Sequence, residues 1–269
     1  MAVINIDTTQ YDAQLNEKEQ RITEQFQRFG VKQLEVFSSE PINYRQRAEF
    51  RVWHDGDDLF HIMFDQQTKD KIRVDTFDPA APLVGEIMQV MIDNLKGCEV
   101  LRRKLFQIDY LSTLSGEILV SLLYHKPLDE HWLTEINALK EKLSSQYKID
   151  FIGRARKQKE KLGDDFVTER LMVNGQELIY QQVENSFTQP NAKVNIKMLE
   201  WAQELCKPLN NDLLELYCGN GNFSIALAGS FNKVLATEIS KSSVHSAQYN
   251  IHRFLIQLLF RRTTNLDAS

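Results

Sequence analysis

The run Asp212-Leu213-Leu214-Glu215-Leu216-Tyr217-Cys218-Gly219-Asn220-Gly221-Asn222-Phe223-Ser224 constrains the fold more than any other stretch of the chain. Residues 212–217 read as a buried strand, the glycines as a tight turn, and 223–228 as the helix that follows. Lys233 to Glu238 reads as a second strand, and a further helix begins near Ser240 or Ser242. A β-α-β succession of this kind opens a parallel sheet. Glycine at 219 and 221 lets the backbone pass close to a ligand, because no Cβ stands in the way. The helix after the turn presents unpaired N–H groups.

The chain before this point has another rhythm. Tyr11, Leu15, Ile22, Phe26 and Phe29 fall near one face of a helix that Gly30 closes, with Thr9 and Asp12 as its N-cap arrangement. Arg47 to His54 and Leu59 to Asp65 flank Asp55-Gly56-Asp57, and Leu105 to Leu114 and Glu117 to His125 flank Ser115-Gly116. Both read as hairpins, as do Leu171 to Val173 and Glu177 to Gln181 around Asn174-Gly175. Lys71 to Asp75 and Asp150 to Arg156 add strands. Leu83 to Leu95 is helical, and so is Asp129 to Gln146, with Trp132, Ile136, Leu139 and Leu143 as its apolar stripe. Residues 1–183 thus read as an α+β domain and 184–251 as the first part of an α/β, Rossmann-like domain, with Pro190 opening its first helix.

Net charge is −5 over 269 residues, so bulk charge gives no support to nucleic-acid binding and any such site must be a local basic patch. Arg45, Arg47 and Arg51 share one face of a strand, suited to phosphate oxygens. Arg154, Arg156, Lys157, Lys159 and Lys161 are opposed in sequence only by Glu160. Phe106 and Tyr110 flank these patches and can stack on an unpaired base. The bland reading is a solvated or paired arginine and a core phenylalanine. The three cysteines, Cys98, Cys206 and Cys218, are widely spaced and form no Cys-x-x-Cys pair, which argues against zinc, an iron–sulfur cluster or a disulfide framework. The start of the chain lacks the pattern of a signal peptide and no apolar run is long enough to span a membrane, so a cytoplasmic protein is expected.

Glu238 ends its strand 19 residues after Gly219, where a carboxylate accepts from the ribose hydroxyls of a bound nucleoside. A dinucleotide fingerprint asks for a third glycine at position 224, which is serine, so S-adenosylmethionine (SAM) suits the turn better than a pyrophosphate. Together with Asn185-Ser186-Phe187-Thr188-Gln189-Pro190-Asn191, the turn resembles the SAM-dependent RNA uracil-C5 methyltransferases. Tyr44-Arg45-Gln46-Arg47-Ala48-Glu49-Phe50-Arg51, Trp53-His54-Asp55-Gly56, Phe64-Asp65-Gln66-Gln67 and Lys104-Leu105-Phe106-Gln107-Ile108-Asp109-Tyr110 are similar to the tRNA-modifying branch of that family. That branch methylates the T-loop uridine and lacks the four-cysteine cluster of the ribosomal-RNA branch.

The resemblance implies that Gln189 contacts the methionine part of SAM and Glu238 the ribose. Tyr217, Gly219 and Asn222 would line the pocket, and Glu215 would help to anchor the amino group. It implies tRNA, through its T-arm, as the partner of Arg45, Arg47, Arg51 and Phe106. It further implies a cysteine nucleophile, a proton-abstracting base and an Asp-Pro-Pro-Arg motif downstream of the second sheet strand, none of which this chain contains, so no catalytic residue is assigned. Cys218 is expected to pack behind the cofactor.

After Ile251 the residues depart from the family pattern. Residues 252–269 are expected to be the tail of a frameshift or premature stop, with self-association through the apolar run Phe254 to Phe260. The stripe Val244, Ala247, Ile251, Leu255, Leu258 would extend the last helix. A non-catalytic RNA- or SAM-binding remnant is the alternative function, and a nicotinamide-dependent oxidoreductase is a third reading against which Ser224 weighs.

Overall fold

A computed structural model describes residues 3–4, 6–31, 33–65, 67–207, 209, 211–253 and 258–262. In chain order these form β1 (Val3–Ile4), α1 (Tyr11–Gln27), β2 (Arg47–Asp55), β3 (Asp58–Phe64), β4 (Lys71–Val74) and β5 (Thr76–Phe77). Next come α2 (Pro82–Lys96), α3 (Glu99–Arg102), β6 (Leu105–Ser112), β7 (Glu117–Tyr124), α4 (Glu130–Ser144), β8 (Lys148–Ala155) and β9 (Gln158–Leu162). The hairpin β10 (Phe166–Val173) and β11 (Gln176–Val183) follows. The chain continues with α5 (Ala192–Cys206), β12 (Asp212–Leu216), α6 (Asn222–Leu227), β13 (Lys233–Glu238), α7 (Lys241–Arg253) and β14 (Leu258–Arg262).

Strands in the order β4-β3-β2-β6-β7-β8-β9 make one sheet, antiparallel throughout except where β7 and β8 run parallel on either side of the α4 crossover. One face of this sheet is covered. In β2, Ala48, Phe50 and Val52 are buried while Glu49, Arg51 and Trp53 are exposed, the period-two pattern of a half-buried strand. Helix α4 buries the four residues of its predicted stripe, and Asp129 caps it by accepting from the Trp132 N–H at 2.9 Å. Trp132 lies against Gly153 of β8. A Cβ at 153 would come within 2.3 Å of the indole, so that position has room only for hydrogen.

The β10–β11 hairpin turns at Asn174 (φ 48°) and Gly175 (φ 78°), both in the left-handed region that a two-residue type I′ turn requires. Its Leu171, Val173, Leu178 and Tyr180 form one core cluster with Leu199 of α5, Ile225 of α6 and Ala247 of α7. At its other end Val167 packs on Leu111, Leu119 and Ile152, on the second face of the large sheet. The hairpin therefore belongs to both halves, and apolar packing does not divide at the expected boundary near residue 183. Strands β12, β13 and β14 form a parallel sheet, with Leu214 opposite Leu235 and Ala236 opposite Phe260.

Several expectations are corrected. Thr9 does not cap α1. It sits in a short 3-10 turn capped by Asp7, which accepts from the Thr9 N–H at 3.0 Å, and α1 starts at Tyr11 without a side-chain cap. The α1 stripe is half-buried at most, and Phe26 and Phe29 are exposed. Pro190 precedes α5 rather than opening it, and Asn191 is the cap, accepting from the Val194 N–H at 3.0 Å. The last helix does not reach Leu258, which lies in β14 opposite Val234. Leu255 and residues 254–257 fall outside the described residues. The expected self-association through that apolar run therefore has no structural account.

Candidate functional site

Strands β12 and β13 end side by side, with Leu216 opposite Thr237. The Cys218 N–H donates to the Thr237 carbonyl at 3.0 Å, prolonging the ladder into the turn. The chain then reverses through Tyr217 (φ 58°), Gly219 (φ 58°) and Gly221 (φ 85°). Left-handed backbone is unfavourable for an aromatic residue, which marks Tyr217 as a strained position, and its side chain is 84% exposed. A Cβ at Gly219 would meet nothing within 4 Å, so the turn opens onto free space there.

Glu238 closes this turn. Its Oε2 accepts from the Gly219 N–H at 3.0 Å, and its Oε1 accepts from the N–H groups of Ile239 at 2.8 Å and Ser240 at 2.7 Å. The carboxylate is buried yet satisfied by three backbone donors. A carboxylate has about four acceptor positions, so Oε2 keeps room for a hydroxyl donor. The spacing of Gly219 and Glu238 in sequence is thus a contact in space.

The helix after the turn is fixed from behind. Asn222 and Asn195 of α5 exchange two side-chain hydrogen bonds, at 2.8 and 2.9 Å, and the Tyr180 hydroxyl donates to the Asn222 carbonyl at 3.0 Å. Asn222 therefore turns its amide onto α5. Fully buried Asn250 of α7 donates to the Asn220 carbonyl at 3.1 Å, and its Oδ1 accepts from the Gln181 N–H at 2.7 Å, joining the turn to β11. Sequence reasoning missed Asn195, Tyr180 and Asn250. The available signal was a polar residue on the apolar stripe of a helix, as Asn195 stands four positions from Leu199.

Glu215 points into the protein, where it accepts from the Ser224 hydroxyl. Burial pushes its carboxyl above the usual range, against the pull of that hydrogen bond. Burial, with Glu215 and Glu238 nearby, pushes the Cys218 thiol up to about 12, so it is a packed thiol and not a thiolate nucleophile. Half-buried Gln189 lies in the segment between β11 and α5. That segment meets the start of β2 at one place, where the Gln46 N–H donates to the Pro190 carbonyl at 2.7 Å and the Arg47 guanidinium to the Ser186 carbonyl at 2.6 Å. It approaches α7 at another, where the hydroxyls of Ser186 and Ser242 are 3.4 Å apart. Tyr217, Gly219, Asn222 and Glu238 gather at the ends of β12 and β13, and Gln189 lies on the segment that runs past them.

The basic residues are partly neutralised. Arg47 and Arg51 share the outer face of β2, while Arg45 lies before the strand and donates from Nε to the Arg47 carbonyl at 2.8 Å. Arg47 is engaged by Glu49 at 2.8 Å and by the Ser186 carbonyl at 2.6 Å. The Arg51 guanidinium lies 5.3 Å from the Phe106 ring centre, and Phe106 stacks on His125 at 3.9 Å and 12°. His125 was not legible as a site residue, because it meets Phe106 only across the β6–β7 pairing, where the register shifts between Leu105 and Gln107. Tyr110, by contrast, is fully buried and hydrogen-bonded to His61, so it is core and offers no stacking surface.

The second basic run is opposed by more than Glu160. Arg154 makes a two-pronged pair with Glu184, at 2.6 and 2.5 Å, and Lys159 bridges Asp165 at 2.8 Å and Glu184 at 3.4 Å. Burial works against the Glu184 carboxylate, but Arg154 and Lys159 outweigh it and hold it below its usual range. Arg156 and Lys157, at the β8–β9 turn, enter no ion pair among the described residues. No group of three or more His, Cys, Asp or Glu able to hold a metal occurs among the described residues. No described helix is long and apolar enough to cross a membrane.

A strand, glycine turn, helix and strand, with a carboxylate closing the turn, open a parallel sheet whose strand ends carry the candidate site. The chain belongs to the tRNA (uracil-5-)-methyltransferase family, whose sequence profile matches residues 10–261. That match runs ten residues beyond Ile251. The chain is 92% identical over 251 residues to a tRNA/tmRNA (uracil-C(5))-methyltransferase of Pseudoalteromonas translucida, covering 93% of this chain and 68% of that protein. It is 60% identical over 262 residues to the protein of the same name in Shewanella amazonensis, covering 97% and 70%. In fold it is similar to the tRNA (uracil-54, C5)-methyltransferase of Pyrococcus abyssi, solved with S-adenosyl-L-homocysteine. That likeness has a TM-score of 0.68 and 17% identity, and covers 96% of this chain and 64% of that one.

Proposed function

We propose that this chain carries the cofactor- and RNA-holding parts of a SAM-dependent tRNA uracil-C5 methyltransferase. The observation that carries the reading is the Glu238 carboxylate, drawn onto the Gly219 N–H at the open end of the parallel sheet. Its remaining acceptor position suits a ribose hydroxyl, and the free space over Gly219 admits the nucleoside. Gln189 would take the methionine part and exposed Tyr217 would cover the pocket. Asn222, held by Asn195, would set the start of α6 behind it. When bound, SAM supplies the methyl group, and this chain's residues hold and orient it.

The RNA partner is the T-arm of tRNA. The stack of Phe106 on His125, with Arg51 beside it, offers a flat surface for an unpaired base and a cation for its phosphate. Arg45, just before β2, and Arg47, shared with Glu49, lie at the start of the same strand. Fluorescence anisotropy with a labelled T-arm stem–loop tests this half. Sub-micromolar to micromolar binding that weakens at least tenfold in Phe106→Ala supports it, and equal binding by that variant contradicts it.

A further inference from the structure

We propose that Arg47 is a positioning residue for the cofactor: from the start of β2 it fixes the 186–190 segment and so sets where Gln189 meets the methionine part of SAM. This rests on the cofactor reading given above.

The chain between β11 and α5 has no regular secondary structure over residues 187–189, so no ladder of backbone hydrogen bonds fixes its course. Apolar packing adds little at its centre, because Phe187 is 72% exposed. Polar tethers from the start of β2 hold it instead. The Gln46 N–H donates to the Pro190 carbonyl at 2.7 Å, and Arg45 forms an antiparallel bridge with Asn191. The Arg47 Nη1 donates to the carbonyl of buried Ser186 at 2.6 Å. Gln189 thus lies between two anchored carbonyls, those of Ser186 and Pro190. The anchor itself is firm. Fully buried Ser112 donates from its N–H to the Gln46 carbonyl at 2.8 Å and from its hydroxyl to the Gln46 Oε1 at 2.5 Å.

The Arg47 tether depends on its side chain. Any residue but proline supplies the N–H at position 46, whereas the Ser186 carbonyl is reached by a guanidinium. One edge of that fork is fixed on Glu49, whose Oε1 accepts from Nε at 3.0 Å and from Nη2 at 2.8 Å, which leaves Nη1 for Ser186. All three nitrogens are engaged and the side chain is only 23% exposed, so Arg47 is occupied within the protein. Arg51, four residues on, stands beside the Phe106 ring instead. Ser186 carries the connection onward. Its hydroxyl is 3.4 Å from that of Ser242, which is 3.0 Å from that of Ser240, and the Ser240 N–H donates to the Glu238 Oε1 at 2.7 Å. Ser186 therefore lies between Arg47 and the start of α7, next to the carboxylate read as the ribose acceptor. A segment ordered before the ligand arrives spares the ligand the entropy of ordering it. Arg47 thereby acts on cofactor affinity without touching the cofactor.

Calorimetric titration of the full chain with S-adenosylhomocysteine tests this, with thermal melts to confirm folding. Arg47→Met is expected to weaken binding about tenfold and Arg47→Lys about threefold, because an ammonium cannot hold Glu49 and the Ser186 carbonyl in one fork. In a Gln189→Ala background, Arg47→Met is expected to cost no more than about twofold, since the residue it positions is gone. Arg170→Ala, which breaks an exposed pair with Glu177, is expected to leave affinity unchanged. If Arg47→Met fails to fold, Arg47→Lys carries the test in both backgrounds. Unchanged affinity in the folded Arg47 variants, while Gln189→Ala weakens binding, would overturn this inference and leave the cofactor reading standing. An equal loss with and without Gln189 would overturn it as well. So would unchanged S-adenosylhomocysteine affinity together with a T-arm salt slope lowered by about 1, which would make Arg47 a phosphate contact. No S-adenosylhomocysteine binding by the folded, unaltered chain would sink the cofactor reading, and this inference with it.

Discussion

Glu238 accepts three backbone hydrogen bonds with its negative charge, and hydrogen bonds to a charged group are each stronger than neutral ones. Neutral glutamine cannot receive all three and also a ribose hydroxyl. Glu238→Gln is expected to lower S-adenosylhomocysteine affinity at least tenfold, measured by calorimetry, with little change in far-ultraviolet circular dichroism. Equal affinity would remove Glu238 from the site. At Cys218 the thiol is pushed up to about 12, while Cys98 and Cys206 are half-buried. A thiol-reactive dye at pH 8 should therefore modify Cys98 and Cys206 in the native chain and Cys218 only after unfolding. Fast native labelling of Cys218 would contradict its packed setting. Glu238, Gly219 and Gly221 were legible because a short β-α-β unit fixes their spacing. Asn195 and Asn250 were not, because their partners lie 27 and 30 residues away and meet only when helices pack.

Among the elements, the large sheet tolerates no added atom where α4 crosses it. Gly153→Ala would drive a methyl group into Trp132 and Leu128 and is expected to cost about 1–3 kcal/mol of stability by denaturant unfolding. An unchanged midpoint would show that the helix can shift at no cost. A second test lies where β10 meets the β6–β7 turn. Glu169 is buried and accepts from the N–H groups of Leu114 at 3.0 Å and Arg170 at 3.1 Å, and burial pushes its carboxyl up to about 7. A folded-state value above the ordinary 4.5 means that the native chain binds the proton more tightly than the unfolded one. Its contribution to stability therefore falls as pH rises from about 4.5 to about 7. Glu169→Gln should abolish this slope. The stability difference between the variant and the unaltered chain should move by about 1–3 kcal/mol in the variant's favour between pH 5 and pH 8. A difference independent of pH would show that Glu169 is ionised in both states.

Most elements could be read from hairpin turns and helical stripes, and α4 is the clearest case. Strand β9 could not. Its residues Gln158-Lys159-Glu160-Lys161-Leu162 are charged because it is an edge strand, where charge deters pairing with another chain. The same residues read as a basic patch, whereas in the fold Lys159 and Lys161 face Asp165.

The whole molecule joins an antiparallel sheet to the start of a parallel one through the β10–β11 hairpin, which packs on both. This coupling was hidden from the sequence. Its turn signal located the hairpin but carried no sign that Val167 and Leu171 would face different neighbours. Net charge gave equally little guidance, because Arg51 stays beside the Phe106–His125 stack while Arg154 and Lys159 are paired with carboxylates. Affinity for RNA should consequently be steeply salt-dependent despite the acidic composition.

The central claim is that the glycine turn takes SAM and not a dinucleotide. It is tested most directly by calorimetric titration of the full chain with S-adenosylhomocysteine and, in parallel, with NADH. One saturable site for S-adenosylhomocysteine and no heat with NADH is the predicted result. Saturable NADH binding, or no binding of S-adenosylhomocysteine by the folded chain, would contradict it.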